Sequence, residues 1–283
     1  MRTIDFLDKR VTGICNELKK LSVKQKFETS DWLIKPGNFL RPEDADADPA
    51  PFEPFDSRTM HWYGPDKHYW FRADVTVPQE MDGKPLWHVC TQIDEWDDAK
   101  NPQFLLFVDG KVTQGVDMNH RDILLDRCAR GGQKYRLELQ SYTGILHTEF
   151  NLIVDLREID PEIEGLYYDM VVPLEAFPRL EEDGKARRDL ESVLNEAVNL
   201  IDLRTPYNES FYQSIAAARK YLAKALYTDL AGHNEVIASC IGHTHIDVAW
   251  WWTVAQTREK VCRSFATVLK LMDEYPDYKF MSS

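Results

Sequence analysis

Two histidines and an aspartate alternate along a short stretch near the C-terminal end of the sequence. His243, His245 and Asp247 are each separated by one residue, in the run GHTHIDVAWWW that begins at Gly242. Because side chains on an extended segment alternate between its two faces, these three groups are predicted to point the same way. Imidazole and carboxylate groups together are good ligands for zinc or another divalent cation such as cobalt. The spacing therefore suits a metal site, and the alternative is that these histidines are core or surface residues at the end of a strand.

The elements around this motif are predicted to be a strand and a helix. The run Val236–Ile241 is apolar and rich in β-branched residues, which is typical of a strand buried on both faces. A helix is predicted over about 254–274, where Tyr275-Pro276 ends it, and Lys279–Met281 resembles the start of a second strand. Active sites of α/β sheets and barrels lie at the C-terminal ends of strands, which is where the motif falls. The predicted apolar face of the helix consists of Val254, Val261, Phe265, Val268 and Met272.

Between about residues 60 and 178 the hydrophobic period is two, which indicates strands. Residues 69–77 and 135–141 alternate, and Asp109-Gly110 is a type I′ hairpin signal between two apolar runs. Further strands are predicted near 86–93, 147–158 and 166–172, and a polar loop over 114–120. Several short strands with turn signals predict an antiparallel β-sandwich. Its tryptophans, which could stack on a sugar, are instead interpreted as packing residues; they are Trp62, Trp87 and Trp96.

The remaining segments complete a multi-domain organisation. A helix is predicted over about 3–24, an irregular proline-rich segment over 29–58, and helices over 181–203 and 211–226. A single βα unit cannot bury its own parallel strand, so the sequence is expected to be the front part of a longer protein. The expected domains are an N-terminal helix and wrapping segment (1–58), a β-sandwich (59–178), a helical linker (179–232) and the first βα unit of a truncated catalytic domain (233–283).

Composition restricts the partners. The net charge is −13, from 47 acidic and 34 basic residues, which argues against nucleic acid or an anionic membrane as a partner. The N-terminus has no apolar signal core, and the five cysteines include no CxxC pair, which favours reduced thiols and a cytoplasmic location. The sequence is compatible with a homo-oligomer.

The motif and its surroundings resemble glycoside hydrolase family 38, the class II α-mannosidases, and most closely the bacterial and cytosolic branch. The resemblance is densest in Gly242–Trp252, Gln256–Lys260, Arg263–Phe265 and Leu271–Pro276. Upstream, the stretches Phe107–Gly110, Gln114–Asp117 and Asn119–Arg121 are similar to the N-terminal β-sandwich of that branch. Thr253 and Gln256 stand where some members have Pro and Glu, which we interpret as a subfamily difference.

This resemblance implies a seven-stranded α/β barrel and retaining hydrolysis of terminal α-mannosyl residues of oligosaccharides through a covalent glycosyl–enzyme intermediate. It implies that His245 and Asp247 are two of the zinc ligands and that Trp250 is the aromatic platform under the sugar. His243 matches a histidine that is not a direct ligand, so we expect it to orient the site. The family's nucleophile, acid/base and other metal ligands lie beyond residue 283. The fragment alone is therefore expected to be inactive and to bind metal weakly or not at all.

Two other functions remain open. The His-x-His pair also suits an amidohydrolase barrel, in which His243 and His245 would both bind the metal and Asp247 and Trp250 would have no role. A non-catalytic sugar-binding β-sandwich would explain residues 60–178 but leave the metal-type motif unexplained. The tryptophans favour a carbohydrate site, because aromatic faces stack on the apolar face of a pyranose. Trp251 and Trp252 are interpreted as packing residues of the following helix.

Overall fold

The structure, a computed structural model, describes residues 4–90, 102–144, 149–182, 184–230, 238–250 and 252–282. The helices and strands are, in chain order, α1 (Ile4–Ser22), β1 (Val23–Thr29), β2 (Asp31–Pro36), α2 (Pro42–Ala47), β3 (Glu53–Asp56), β4 (Trp62–Tyr63), β5 (His68–Thr76), β6 (Leu86–Cys90), β7 (Gln103–Val108), β8 (Lys111–Val116), β9 (Asp122–Asp126), β10 (Lys134–Tyr142), β11 (Glu149–Phe150), β12 (Val154–Ile159), α3 (Pro161–Ala176), α4 (Lys185–Leu200), α5 (Glu209–Leu222), β13 (Gly242–Thr244), α6 (Val254–Glu274) and β14 (Phe280–Ser282). Among the described residues, no helix is both long enough and apolar enough to cross a membrane.

These elements form two units, each made from two separated stretches of sequence. The first unit combines Met1–Gln25 with Ile159–Ala238, and the second combines Lys26–Glu158 with Ser239–Ser283. The expected domain boundaries at residues 58, 178 and 232 stay predictions.

The first unit is helical. The predicted N-terminal helix is confirmed as α1, whose apolar seam supplies Val11, Cys15 and Leu18 to a buried cluster. The helices predicted over 181–203 and 211–226 are confirmed as α4 and α5, and α5 continues as a π-helix over Ala223–Leu230. Buried side chains from α1, α3, α4 and α5 form one core.

The strand predicted near 166–172 is wrong, because these residues lie inside helix α3. Asp160 caps this helix, since its carboxylate accepts hydrogen bonds from the backbone N–H groups of Glu162 (3.0 Å) and Ile163 (3.2 Å). Pro161 follows at the first helical position, where its missing N–H costs nothing. The buried residues Ile163, Leu166 and Met170 recur at helical spacing and pack in the core of the first unit. The cap and this spacing together outweigh the strand-like residues Tyr167 to Val172.

The second unit contains the predicted antiparallel sheets. One sheet has four strands in the order β1-β12-β6-β9, and the other has six in the order β3-β2-β5-β10-β7-β8. Inward-facing residues of both sheets belong to a single buried apolar cluster, as in a β-sandwich. Trp62 is 2% exposed inside this cluster, which confirms its interpretation as a packing residue. Trp87 is half-buried, and Trp96 lies outside the described residues.

The predicted hairpin is confirmed between β7 and β8. These strands pair antiparallel, and their connection is Asp109-Gly110. Both residues have positive φ angles, 51° for Asp109 and 76° for Gly110, as a type I′ turn requires. The hairpin positions β8, and α6 packs against this strand.

The segment predicted to be irregular over 29–58 contains two strands and a short helix instead. Pro36 is the last residue of β2, and Pro54 lies in β3, which is the edge strand of its sheet. Proline is tolerated at both places because it deprives the sheet of no ladder hydrogen bond there, so its presence did not exclude strands. The buried ammonium of Lys35 fixes α2 by donating to the carbonyl oxygens of Ala45 (2.6 Å) and Asp48 (3.0 Å).

His88 makes the folded state sensitive to acid. Its side chain is fully buried on the inner face of β6, and neither ring nitrogen has a hydrogen-bond partner among the described residues. Burial lowers the pKa of His88 from 6.5 to about 4, against smaller opposing effects of its own backbone and of the Asp155 carboxylate. Between pH 6.5 and about pH 4, His88 is therefore protonated in the unfolded chain but neutral in the folded chain.

We expect the free energy of unfolding to fall as the pH drops from 6.5 towards 4, by about 3 kcal/mol from this one group, at about 1.36 kcal/mol per pKa unit. The contribution is fully present above pH 6.5. Replacing His88 with Leu should flatten this part of the pH profile, as measured by urea unfolding at several pH values. The same replacement at the exposed His61 controls for the loss of a histidine. An unchanged acid slope in His88→Leu would contradict the assignment.

Candidate metal centre

The motif strand lies later in the chain than predicted. β13 begins at Gly242 and pairs in parallel with β14, at His243↔Met281 and its neighbours. Of the predicted strand Val236–Ile241, residues 236–237 lie outside the described residues and 238–241 are exposed and not in a strand. The prediction of a strand buried on both faces is therefore wrong for residues 238–241. A parallel pair of two strands cannot cover both of its faces, because covering them requires helices and further strands. The second strand is confirmed as β14.

His245 and Asp247 lie side by side directly after β13. The Nε2 atom of His245 is 3.2 Å from Oδ1 of Asp247, and both side chains are accessible, with 68% and 46% exposure. Two donors bound to one tetrahedral zinc at 2.0–2.2 Å would lie about 3.3 Å apart. The 3.2 Å contact is a hydrogen-bonding distance, and it is also compatible with two donors on one divalent ion. Among the residues that the structure describes, no three His, Cys, Asp or Glu side chains form a group that could hold a metal.

A cavity of about 350 Å³ borders this motif. His243 and His245 contribute to its lining, as do Lys260 and Arg263 from α6 and Tyr278. His243 and His245 thus line the same cavity. The two motif side chains within hydrogen-bond distance of each other are those of His245 and Asp247.

The loop after β8 closes another side of this cavity. Residues 114–116 of the predicted loop belong to β8, and the rest forms a turn around the carboxylate of Asp117. This carboxylate accepts hydrogen bonds from the backbone N–H groups of Asn119 (2.8 Å) and His120 (2.9 Å), and lies 2.9 Å from His120 Nδ1. Burial tends to raise the pKa of Asp117, but these hydrogen bonds and the charge of His120 outweigh it and hold the pKa below its usual value.

The tryptophans after the motif differ in their surroundings. Trp250 is 70% exposed, and its ring meets that of Trp252 edge-on at 5.9 Å. Trp252 is half-buried, donates its Nε1–H to Thr257 Oγ1 (3.1 Å), and has Lys260 Nζ 4.3 Å above its ring. Packing by Trp252 against the helix that follows agrees with this geometry, while Trp251 lies outside the described residues. Trp250 has the exposure that a sugar platform needs.

Helix α6 begins immediately after this motif with a capping box. Thr253 accepts a hydrogen bond from the backbone N–H of Gln256, whose side-chain oxygen accepts one from the backbone N–H of Thr253 (2.9 Å). The hydroxyl of Thr257, in the first turn, contacts the carbonyl oxygens of Val248 and Asp247. The start of the helix is therefore joined to the loop that carries the motif.

A polar face of α6 packs on the six-stranded sheet. Glu259 is 4% exposed, and its carboxylate oxygens lie 2.9 and 3.1 Å from Nε2 of His68 on β5. Gln256 donates to Asp66 (2.9 Å), and Arg263 donates to Gln103 (2.8 Å). Burial lowers the pKa of Arg263, against the opposing charge of Glu259, whose carboxylate lies 3.8 Å away.

This buried face was not recognised in the sequence. The predicted apolar face is largely accessible, with Val254 54% and Val261 and Phe265 each 37% exposed, and only Val268 is buried. The sequence did contain a sign of this polar face. Gln256, Glu259 and Arg263 recur at helical spacing and therefore share one face of the helix. Polar residues on one face usually indicate solvent, and the partner groups on the sheet could not be known from the helix alone.

Gly115 allows the close approach of α6 to β8. A Cβ atom at this position would lie 2.7 Å from the carbonyl oxygen of Arg263 and 2.9 Å from Oγ1 of Thr267. We expect Gly115→Ala to lower the free energy of unfolding by about 1–3 kcal/mol, because backbone on α6 would have to move. Gly13→Ala in α1 is the control; nothing lies within 4 Å there, so it should stabilise the helix by about 0.5–1 kcal/mol. Urea unfolding measures both, and equal signs would contradict the close contact.

The sequence comparisons match one family profile and several α-mannosidases. The profile of the glycosyl hydrolases family 38 N-terminal domain matches residues 235–283, which contain the motif and α6. Alpha-mannosidase G of Dictyostelium discoideum is 21% identical over 250 residues, covering 81% of this chain and 22% of that protein. Human alpha-mannosidase 2C1 is 24% identical over 233 residues, covering 76% and 21%. An alpha-mannosidase of Saccharomyces cerevisiae is 30% identical over 148 residues, covering 47% and 13%. The chain thus spans about a fifth or less of the length of these relatives.

Proposed function

We propose that the chain belongs to glycoside hydrolase family 38, and that its full-length gene product is an α-mannosidase that removes terminal α-mannosyl residues from oligosaccharides with retention of configuration. The observation that carries the proposal is the His245–Asp247 pair, which lies within the matched region at the end of β13. We further propose that residues 233–283 are the start of a seven-stranded α/β barrel and that the nucleophile and acid/base follow later in the gene product.

Zinc, or a similar divalent cation such as cobalt, is proposed to bind between His245 and Asp247. The 3.2 Å separation and accessibility of the two side chains fit this ion. A bound metal would supply Lewis-acid contacts to sugar hydroxyl groups. To act as a ligand through Nε2, which lies 3.2 Å from the Asp247 carboxylate, His245 would have to present an unprotonated nitrogen there, because a metal binds the lone pair of a neutral imidazole. Further ligands are required, because zinc sites use three or four protein groups.

The neighbouring residues are proposed to orient the sugar. Trp250 exposes enough ring surface for stacking on the apolar face of a pyranose. His243 is proposed to orient the site without binding the metal, and its position in the lining of the cavity beside His245 supports this role. We propose a cytoplasmic location, because Cys128, Cys240 and Cys262 are exposed free thiols. We also propose that the protein has no nucleic acid or membrane partner. A homo-oligomer is compatible with this proposal.

The decisive experiment is metal analysis and activity of the full-length gene product, purified without added metal. One bound divalent ion per chain, with chelator-sensitive cleavage of an aryl α-mannoside, is the expected result. Metal without glycosidase activity would favour an amidohydrolase-type enzyme. Neither metal nor cleavage, but affinity for mannose oligosaccharides, would favour a sugar-binding β-sandwich. Retention is read from the anomer first released, by NMR.

A further inference from the structure

We propose that Thr257 is a positioning residue for Asp247, which rests on the proposed function of Asp247 as a metal ligand. The Thr257 hydroxyl is within hydrogen-bond distance of the carbonyl oxygen of Val248 and lies 3.4 Å from that of Asp247. It therefore ties the peptide groups on the C-terminal side of Asp247 to the first turn of α6.

The motif needs such a tie because it lies between two regular elements. β13 ends at Thr244 and α6 begins at Val254, so Asp247 belongs to neither. No strand ladder or helical hydrogen bond sets the direction of its side chain. A metal ligand in this situation depends on contacts to its own backbone for orientation.

The geometry of Thr257 directs its proton towards the motif. A hydroxyl has one proton to donate and can accept at its lone pairs. The Nε1–H of Trp252 donates to Oγ1 from 3.1 Å, which occupies one acceptor position and limits rotation of the group. The carbonyl oxygens of Val248, Asp247 and Thr253 all lie within hydrogen-bond distance of this hydroxyl, and two of the three belong to the segment that carries Asp247. The hydroxyl thus links Trp252, α6 and the residues that follow Asp247.

The helix that holds Thr257 is itself fixed on the opposite side. Gln256 and Glu259 flank Thr257 in sequence; Gln256 contacts Asp66 in the turn before β5, and Glu259 contacts His68 on β5. A shift of α6 would therefore require the loss of buried polar contacts. Through this path the sheet supports the position of the metal ligand, although no strand of the sheet contributes a ligand itself.

The test compares two substitutions at one position in the full-length gene product. Thr257→Val keeps the shape and removes the hydroxyl, whereas Thr257→Ser keeps the hydroxyl. The Zn²⁺ dissociation constant is measured by competition with a chromogenic chelator, and the site is also examined through the absorption spectrum of Co²⁺-loaded protein. We expect Thr257→Val to weaken Zn²⁺ binding by about 10–100-fold and to alter the Co²⁺ spectrum. Thr257→Ser should stay close to wild type in both measurements.

Thr253→Val separates positioning from general weakening of the helix. It removes the side-chain cap of α6 but leaves the Thr257 hydroxyl in place. This variant should lower the melting temperature without weakening Zn²⁺ binding. The proposal is overturned if Thr257→Val binds Zn²⁺ like wild type, or if Thr253→Val weakens binding equally. A wild-type protein that binds no divalent metal would overturn this proposal together with the metal part of the proposed function. If the wild-type protein cleaves mannosides in a metal-dependent way and Thr257→Val binds Zn²⁺ as wild type does, this proposal is overturned and the proposed function stands.

Discussion

Asp247→Ala in the full-length gene product is expected to abolish stoichiometric metal binding and to lower mannoside hydrolysis by more than about 100-fold. The estimate is a lower bound, because loss of a partner that merely orients a metal ligand already costs about 10–100-fold. The aspartate is one of the two donors that the structure brings within 3.2 Å of each other. Its removal would leave His245 as the single proposed ligand from this chain segment.

The fold should survive this substitution, which makes the result interpretable. The Asp247 side chain is 46% exposed, and substitutions at accessible positions usually change stability by no more than about 0.5 kcal/mol. Asp277→Ala, at an exposed turn between α6 and β14, removes the same charge without touching the motif. Metal content is measured by atomic emission, activity with an aryl α-mannoside, and folding by circular dichroism. Activity of Asp247→Ala near wild type would show that Asp247 is not a ligand.

Glu259→Ala is expected to destabilise the packing of α6 on the sheet by about 3–5 kcal/mol. The carboxylate is buried between His68 and the guanidinium of Arg263, which is itself 8% exposed. Alanine would leave a buried arginine without its neighbouring negative charge. Removing one member of a buried charged pair costs far more than the pair contributes when intact, because the remaining charge has lost its hydration.

An exposed pair on the same sheet supplies the control for this prediction. Asp74 and Arg136 form an ion pair at 2.9 Å with side chains 65% and 49% exposed. Asp74→Ala should cost at most about 1 kcal/mol, because solvent screens the interaction. Urea unfolding of both variants provides the comparison, and hydrogen exchange of the α6 amides locates the effect. Equal destabilisation by Glu259→Ala and Asp74→Ala would mean that burial does not strengthen the contact.

The parts of this structure that were predictable are those governed by local sequence. The hairpin at Asp109-Gly110 follows from the positive φ angles that few other residues adopt. Helix α6 was predicted with its observed ends, because apolar residues recur at helical spacing from Val254 and Pro276 prevents the helix from continuing. The proximity of His245 and Asp247 likewise follows from their spacing of two residues.

The parts that were not predictable depend on partners distant in sequence. β2 and β3 contain prolines and look irregular until the sheet that receives them is known. The buried face of α6 is polar because Asp66, His68 and Gln103 lie opposite, more than 150 residues earlier in the chain. Thr257 could not be singled out for the same reason, since its role depends on which carbonyl groups fold back over the helix.

The two-part composition of the helical unit has a consequence for protein synthesis. α1 buries Val11, Cys15 and Leu18 against α3–α5, which begin only at Pro161. At about 5–20 residues per second, the ribosome completes α3 roughly 10–30 s after α1 has been made. During that interval the apolar side of α1 has no partner from its own unit, while the strands of the other unit are being produced. The apolar side of α1 therefore stays without its partner helices for this time during synthesis. A chaperone that shields short apolar helices in that interval would raise the yield of folded protein.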